Sequence, residues 1–462
     1  MFETQYFGDI YIQPWELISL PFYLLFIYLI SNAIQKRKIG RNPLYKFYIW
    51  GLFLKIAGGI GFVLIYMFYW HGADTTAYFE CCMAMNNLFL SDPGSWFQNE
   101  FVGASWEHFY LFNTHTGFPL EYMYFDRQTY MVVRLVSPLL LFTFNSYLLT
   151  TVLLDWVAYA GIWKLFLVFS AHYPKRSNMF ALAILFFPSV VFWGSGILKD
   201  TITLSCTGWI LYSIYMAFIL KRKRLMYIVV LFTALGTVLF IKSYIVVALF
   251  PGLLMWSLSS SIDRIHNTLV KALIIPIILV VSLGGGMYFI SLFGDYMGKF
   301  ALDKITTTLV VTQSDLKSDY YHGHSFDIGA IDPTPLGVLK KFPAAFIAGM
   351  FRPFIWESGN AVMLLSGLEN TLILVLTLIA IVRTNIVSFF KKLIREPILF
   401  FSLSFAIFFA FSVGLSTANF GALIRFKIAY LPFFLCAIFI LMKRDDEEAE
   451  RKLAAINLNR DQ

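Results

Sequence analysis

The chain has 462 residues, of which 58% are hydrophobic, 18% aromatic and 14% charged, with 49 Phe, 4 Cys and a formal net charge of +8. A soluble domain carries about 25% charged residues, so a single soluble globular body is excluded, and so is a disordered chain. Four Cys exclude a disulfide scaffold, and the apolar excess is most simply explained by lipid as the missing solvent.

A helix needs about 20 mostly apolar residues to cross ~30 Å of hydrocarbon. Eleven segments qualify in chain order: roughly 14–34, 47–69, 146–169, 178–195, 200–220, 226–241, 244–258, 270–292, 364–384, 396–414 and 426–442. The short pair 226–241 and 244–258 is open to two readings, as half-helices or as a tight hairpin that stops short of crossing. The apolar runs are continuous rather than alternating, which excludes a barrel. The expected fold is therefore an all-α polytopic membrane protein, with residues 1–462 forming one integral membrane domain.

Orientation follows from the basic residues. Glu3, Asp9 and Glu16 precede or open the first segment, whereas Lys36, Arg37, Lys38, Arg41 and Lys46 follow it. Cytoplasmic loops collect Lys and Arg, so the N-terminus is expected outside, with no cleaved leader because no basic stretch begins the chain. Alternation then places Lys175 and Arg176, the run 221–224, Arg264 and Lys271, Arg383 with Lys391, Lys392 and Arg395, and the charged tail 443–462 all inside. The same reading accounts for the net positive charge without nucleic acid. Two long segments, about 70–145 and 293–363, remain outside. Within them, 129–144 and 336–350 read as helices lying in the membrane interface or dipping partly into the membrane. Chemistry is expected on that outer side.

The first outer segment opens as His71-Gly72-Ala73-Asp74-Thr75-Thr76-Ala77-Tyr78-Phe79-Glu80. A carboxylate just past a span end can act as general base toward a hydroxyl or hold a cation; equally, Asp74 or Thr75 can cap a following helix. His71 and Glu80 are weaker members of the same group. The turn between 178–195 and 200–220 contains Gly194-Ser195-Gly196 and then Lys199-Asp200, where a Lys beside free helix N–H groups suits a phosphate. The alternative there is a tight hairpin with a snorkelling Lys199 and Asp200 or Thr201 as the cap. Lys242 separates the two short spans. Arg352 and Arg425 precede the ninth and eleventh spans, each among aromatic residues as in an ordinary interfacial belt. Four outer turns thus each present a cation, and together they suggest an anionic lipid headgroup such as a polyprenyl phosphate. Lys55 and Asp155, inside spans, are expected to pair as structural glue, with a proton pathway as the alternative. There is no CxxC pair, HExxH, P-loop, dinucleotide fingerprint or internal repeat; His322 and His324 flank Gly323 as a weak metal signal.

The order of elements resembles the GT-C class of polytopic glycosyltransferases. The stretches FPSVVFWGSGILKD (187–200), FRPFIWE (351–357) and ALIRFKIAYLPFF (422–434) are similar to ones in membrane proteins of bacterial envelope-polysaccharide assembly, including O-antigen-polymerase-like proteins. The resemblance implies a polyprenyl-phosphate-linked glycan as partner, membrane lipid around it, no nucleic acid, and a place in the bacterial inner membrane. It implies Asp74 as the acceptor-binding or basic residue, and Lys199, Lys242, Arg352 and Arg425 as ligands of the lipid phosphate, with His71 and Glu80 nearby. A divalent cation is left open as a cofactor. One departure is plain: the acidic motif follows the second span here, whereas in that class it follows the first. A transporter or flippase of lipid-linked glycans, whose cations would line a central cavity, and a non-catalytic scaffold remain as alternatives.

Overall fold

The computed structural model of the chain describes residues 5–7, 10–262, 325–329, 332 and 334–442, with single positions 277, 281 and 284. The expected span 270–292, the histidines 322 and 324, much of the second outer segment and the tail 443–462 lie outside the described residues. Two three-residue strands, Gln5–Phe7 and Ile10–Ile12, pair antiparallel near the N-terminus. All the other elements named below are helices, and the all-α class holds for the described residues.

Seven helices among the described residues are long and apolar enough to cross a membrane, or eight if a bent pair is counted as one span. They are α1 (Pro14–Ile39), α2 (Tyr48–Phe68, entered through a tight turn from Pro43), α5 (Tyr147–His172), α7 (Lys199–Ile214, prolonged to Ile219), α8 (Arg224–Ile262), α10 (Ala361–Arg383) and α12 (Pro397–Ser416). The bent pair is α13 (Phe420–Lys427) and α14 (Leu431–Leu441), at 59° to each other. The remaining helices used below are α3 (Asp74–Ser91), α4 (Arg127–Leu140), α6 (Pro188–Trp193), α9 (Phe342–Phe351) and α11 (Ile386–Arg395).

Two expected spans change form. Segment 178–195 is not one span-length helix. It consists of a short helix Ser177–Ala181, a widened turn Leu182–Phe186, an extended Phe187 and then α6. Pro188 has no N–H to continue the ladder and biases the residue before it away from helix. The segments 226–241 and 244–258 join in α8, which breaks at Lys242 (φ −145°, ψ 75°). Tyr227 on its first arm packs on Tyr212 of α7, while Trp256 on its second arm packs on His172, which also packs on Tyr215. A straight helix would separate Tyr227 and Trp256 by about 44 Å at 1.5 Å per residue. Both instead lie near the C-terminal end of α7, while Lys242 meets Asp200 at its N-terminal end. The arms therefore run antiparallel.

Close backbone approach sets the centre of the bundle. A Cβ on Gly161 of α5 would lie 2.0 Å from the Ser205 carbonyl oxygen of α7, and one on Gly208 would lie 2.0 Å from that of Gly161. Small residues that let helix backbones touch are how membrane helices gain dispersion contact when lipid tails are as apolar as side chains. The buried Lys55–Asp155 pair, 3.2 Å apart, joins α2 to α5 as expected. Lys55 Nζ also donates to the carbonyl of Gly194, which fixes the turn after α6.

The stretch 70–145 builds its own apolar body. Tyr78, Phe79, Cys82 and Met85 of α3 pack with Val132, Val133 and Val136 of α4, and this cluster continues into Phe62, Trp193 and Ile424 from the spans. The expected helices at 129–144 and 336–350 are present as α4 and as Pro335–Lys340 with α9.

Candidate functional site

The site forms where the N-termini of α3 and α7, the break of α8 and the middle of α13 meet. At the end of α2 the chain turns through His71 (φ 52°) and Gly72 (φ 92°), a left-handed pair that reverses direction before α3 begins at Asp74. Asn419 caps α13, its side-chain oxygen accepting from the amides of Gly421 and Ala422. Two residues apart on that helix, Arg425 and Lys427 point in roughly opposite directions. Lys427 is buried and donates to the carbonyl of Met350 and to Asn370 Oδ1 at 3.1 and 2.9 Å, and also to the carbonyl of Arg352. These bonds pin the rotation of α13 from behind and aim Arg425 at α3 and α7.

Arg425 bridges two carboxylates. Its Nη1 donates to Asp74 Oδ2 at 2.6 Å and its Nε to Asp200 Oδ2 at 3.1 Å. The other oxygen of Asp200 accepts from Lys242 Nζ. The result is one chain, Asp74–Arg425–Asp200–Lys242, drawn from four helices. It runs from an exposed end to a buried one: the side chains are 58% exposed at Asp74, 15% at Arg425, 1% at Asp200 and 7% at Lys242. The Lys242 ammonium also lies 5.1 Å from the centre of the Phe426 ring. A buried cation in a span is tolerated only with such partners.

Lys199 stands one step away. Its Nζ donates to Thr129 Oγ1 on α4 at 2.8 Å, and Thr129 donates to Asp126. Tyr78 lies between the two groups, in the field of Arg425, Asp74 and Asp200; burial pushes its phenol far above the ordinary value.

Of the residues expected to act together, Asp74, Lys242 and Arg425 are joined and Lys199 adjoins them. Arg352 is elsewhere: its guanidinium is bidentate on Glu357 and stacks over Phe326 and Phe420, at 4.8 and 5.5 Å from the ring centres. Glu80 follows Asp74 by six residues on α3, so it lies about 120° around that helix. His71 is exposed in the turn and makes no hydrogen bond or ion pair among the described residues. Asp200 and Lys427 were missed. Asp200 reads as a helix cap in sequence, yet its carboxylate serves Arg425 and Lys242, while Thr201 bonds the carbonyl of Gly196. Among the described residues, no three His, Cys, Asp or Glu side chains gather to hold a metal ion.

The fold and the buried ion chain define an all-α, multi-pass membrane protein with a charged site at one end of its helices. Comparison with protein families, with curated proteins and with solved structures finds no match to this chain.

Proposed function

We propose that the chain is a bacterial inner-membrane enzyme of envelope glycan assembly, transferring or polymerising sugars from a polyprenyl-(pyro)phosphate-linked donor at the outer face. The observation that carries this reading is the sharing of Arg425 between an exposed and a buried carboxylate. As folded, Asp74 and Asp200 balance Arg425 and Lys242, so an anion gains most by replacing a carboxylate. Asp74 is the one within reach of solvent. A donor phosphate that takes Nη1 of Arg425 releases Asp74, whose freed carboxylate accepts the proton of an acceptor hydroxyl. Arg425, still held by Asp200, and the neighbouring Lys199 then oppose charge on the leaving phosphate, where fixed cations help most.

The topology goes with this reading. Lys175 and Arg176, the run 221–224, Arg383 and Lys391 to Arg395 share the end opposite the Asp74 site: Arg176 and Lys392 reach the terminal carbonyls of α14, Tyr173 bonds Glu396, and His172 packs on Tyr215. The positive-inside rule makes that end cytoplasmic. With that end cytoplasmic, the eleven segments expected from the sequence, if each crosses, put the N-terminus outside and the C-terminus inside.

Asp74→Asn is expected to stop glycan extension in membranes while the purified protein keeps the wild-type unfolding midpoint. Lipid-linked donor should accumulate in cells. Unchanged product would overturn the catalytic reading. A transporter reading draws on the buried Lys55–Asp155 pair inside the spans; it predicts donor accumulating on the cytoplasmic leaflet, with transfer in broken membranes intact.

A further inference from the structure

The helix α11 joins the C-terminal end of α10 to the start of α12, at the end of the bundle opposite the Asp74 site. At about 100° per residue its side chains divide into three sectors. Phe389, Lys392 and Leu393 are half-buried against the protein, where Lys392 donates to the carbonyl of Leu441, the last residue of α14. Ile386, Val387, Phe390 and Ile394 form a second sector and are 68%, 73%, 54% and 48% exposed. Lys391 and Arg395 form the third sector and are also exposed. The three directions are roughly 120° apart.

That division suits a helix lying in the plane of a membrane surface. Its ends are tied to two apolar span-length helices, so its depth is set at the edge of the hydrocarbon. One sector meets the bundle, the apolar sector has only acyl chains to enter, and the cations stand at headgroup level. Glu396, the carboxylate next in sequence to Arg395, is buried and accepts from Tyr173. We propose that α11 is a docking site for anionic phospholipid, with Lys391 and Arg395 holding the headgroup phosphate and Ile386, Val387, Phe390 and Ile394 seated in the acyl layer. Two cations beside an anionic surface give enrichment of about fivefold each, falling as salt screens them.

The test labels Val387→Cys with a fluorophore in the full chain, reconstituted into phosphatidylcholine vesicles that contain either brominated phosphatidylglycerol or the same fraction of brominated phosphatidylcholine. The native cysteines 81, 82 and 436 are buried and 206 is half-buried. Brominated phosphatidylglycerol should quench the label at least about twofold more strongly than brominated phosphatidylcholine, consistent with that enrichment. Lys391→Gln with Arg395→Gln should make the two equal. Equal quenching in the parent chain overturns the anionic preference. Absence of quenching by either lipid overturns membrane docking and assigns the apolar sector to protein, such as a second copy of the chain. A preference that survives the double substitution overturns the role of the two cations.

Discussion

Asp200→Asn separates the two kinds of work done by the ion chain. The substitution keeps the shape of the side chain and removes one negative charge from a site that is 1% exposed. Arg425 keeps Asp74 as a partner, but Lys242, 7% exposed, keeps no carboxylate partner among the described residues. Breaking a buried pair by removing one member costs about 3–5 kcal/mol, because the other charge stays buried without compensation. Replacing both members with neutral groups costs far less. Asp200→Asn alone is therefore expected to lower stability by about 3–5 kcal/mol, while Asp200→Asn with Lys242→Met recovers most of that loss. Asp74→Asn is the contrasting case: its side chain is 58% exposed, and an ion pair so open to water contributes only about 0–1 kcal/mol. The assay is denaturant or thermal unfolding of the purified protein in mild detergent, run as a double-mutant cycle. An Asp200→Asn protein as stable as the parent, or a double variant whose loss is the sum of the two single losses, would refute the argument that Lys242 depends on Asp200.

Further outcomes follow from other parts of the fold. Gly161→Ala should destabilise by about 3 kcal/mol, the upper end for overpacking, because its Cβ would meet backbone oxygen at 2.0 Å, whereas Gly236→Ala, with nothing within 4 Å, should be neutral in the same unfolding assay. Glu100, between α3 and α4, is pushed up to about 7 from 4.5 by burial, against the lowering field of Arg134, and its Oε2 has no hydrogen-bond partner among the described residues. The folded state therefore holds the Glu100 proton more tightly than the unfolded one. This contribution is fullest below the unfolded value and is lost as pH rises through about 7. Glu100→Gln should flatten the fall in melting temperature between pH 5 and pH 8; a slope equal to that of the parent would remove Glu100 as its source.

The long spans were readable because continuous apolar length carries a physical requirement, the thickness of hydrocarbon. α1, α2, α5, α10 and α12 answer it directly. Composition is blind to what a chain does inside that thickness. Segment 178–195 is as apolar as its neighbours, and only Pro188 signals its interruption. Around Lys242, sequence leaves the relative direction of the two short arms open. The packing of Tyr227 and Trp256 near one end of α7 shows that they run antiparallel.

For the site, what could be read was the residue type at each turn, and what could not was the pairing. Asp74, Lys242 and Arg425 stood out because an ionisable side chain near or within hydrocarbon needs a reason to be there. Arg352 stood out on the same ground, yet its reason is local: Glu357 lies five residues on and closes a pair of its own. Asp200 was hidden because an Asp in the first turn of a helix is already explained by the helix N-terminus. That explanation is complete in sequence and incomplete in space, since α13 arrives from more than two hundred residues away with Arg425 pointed at the same carboxylate. The missed acid changes the sign of the argument. Without it, Lys242 would lack a carboxylate partner; with it, both Arg425 and Lys242 are already neutralised, and on the proposed reading a phosphate must compete. On that reading competition favours the exposed member, so Asp74 is the residue proposed to act and Asp200 the one proposed to stay.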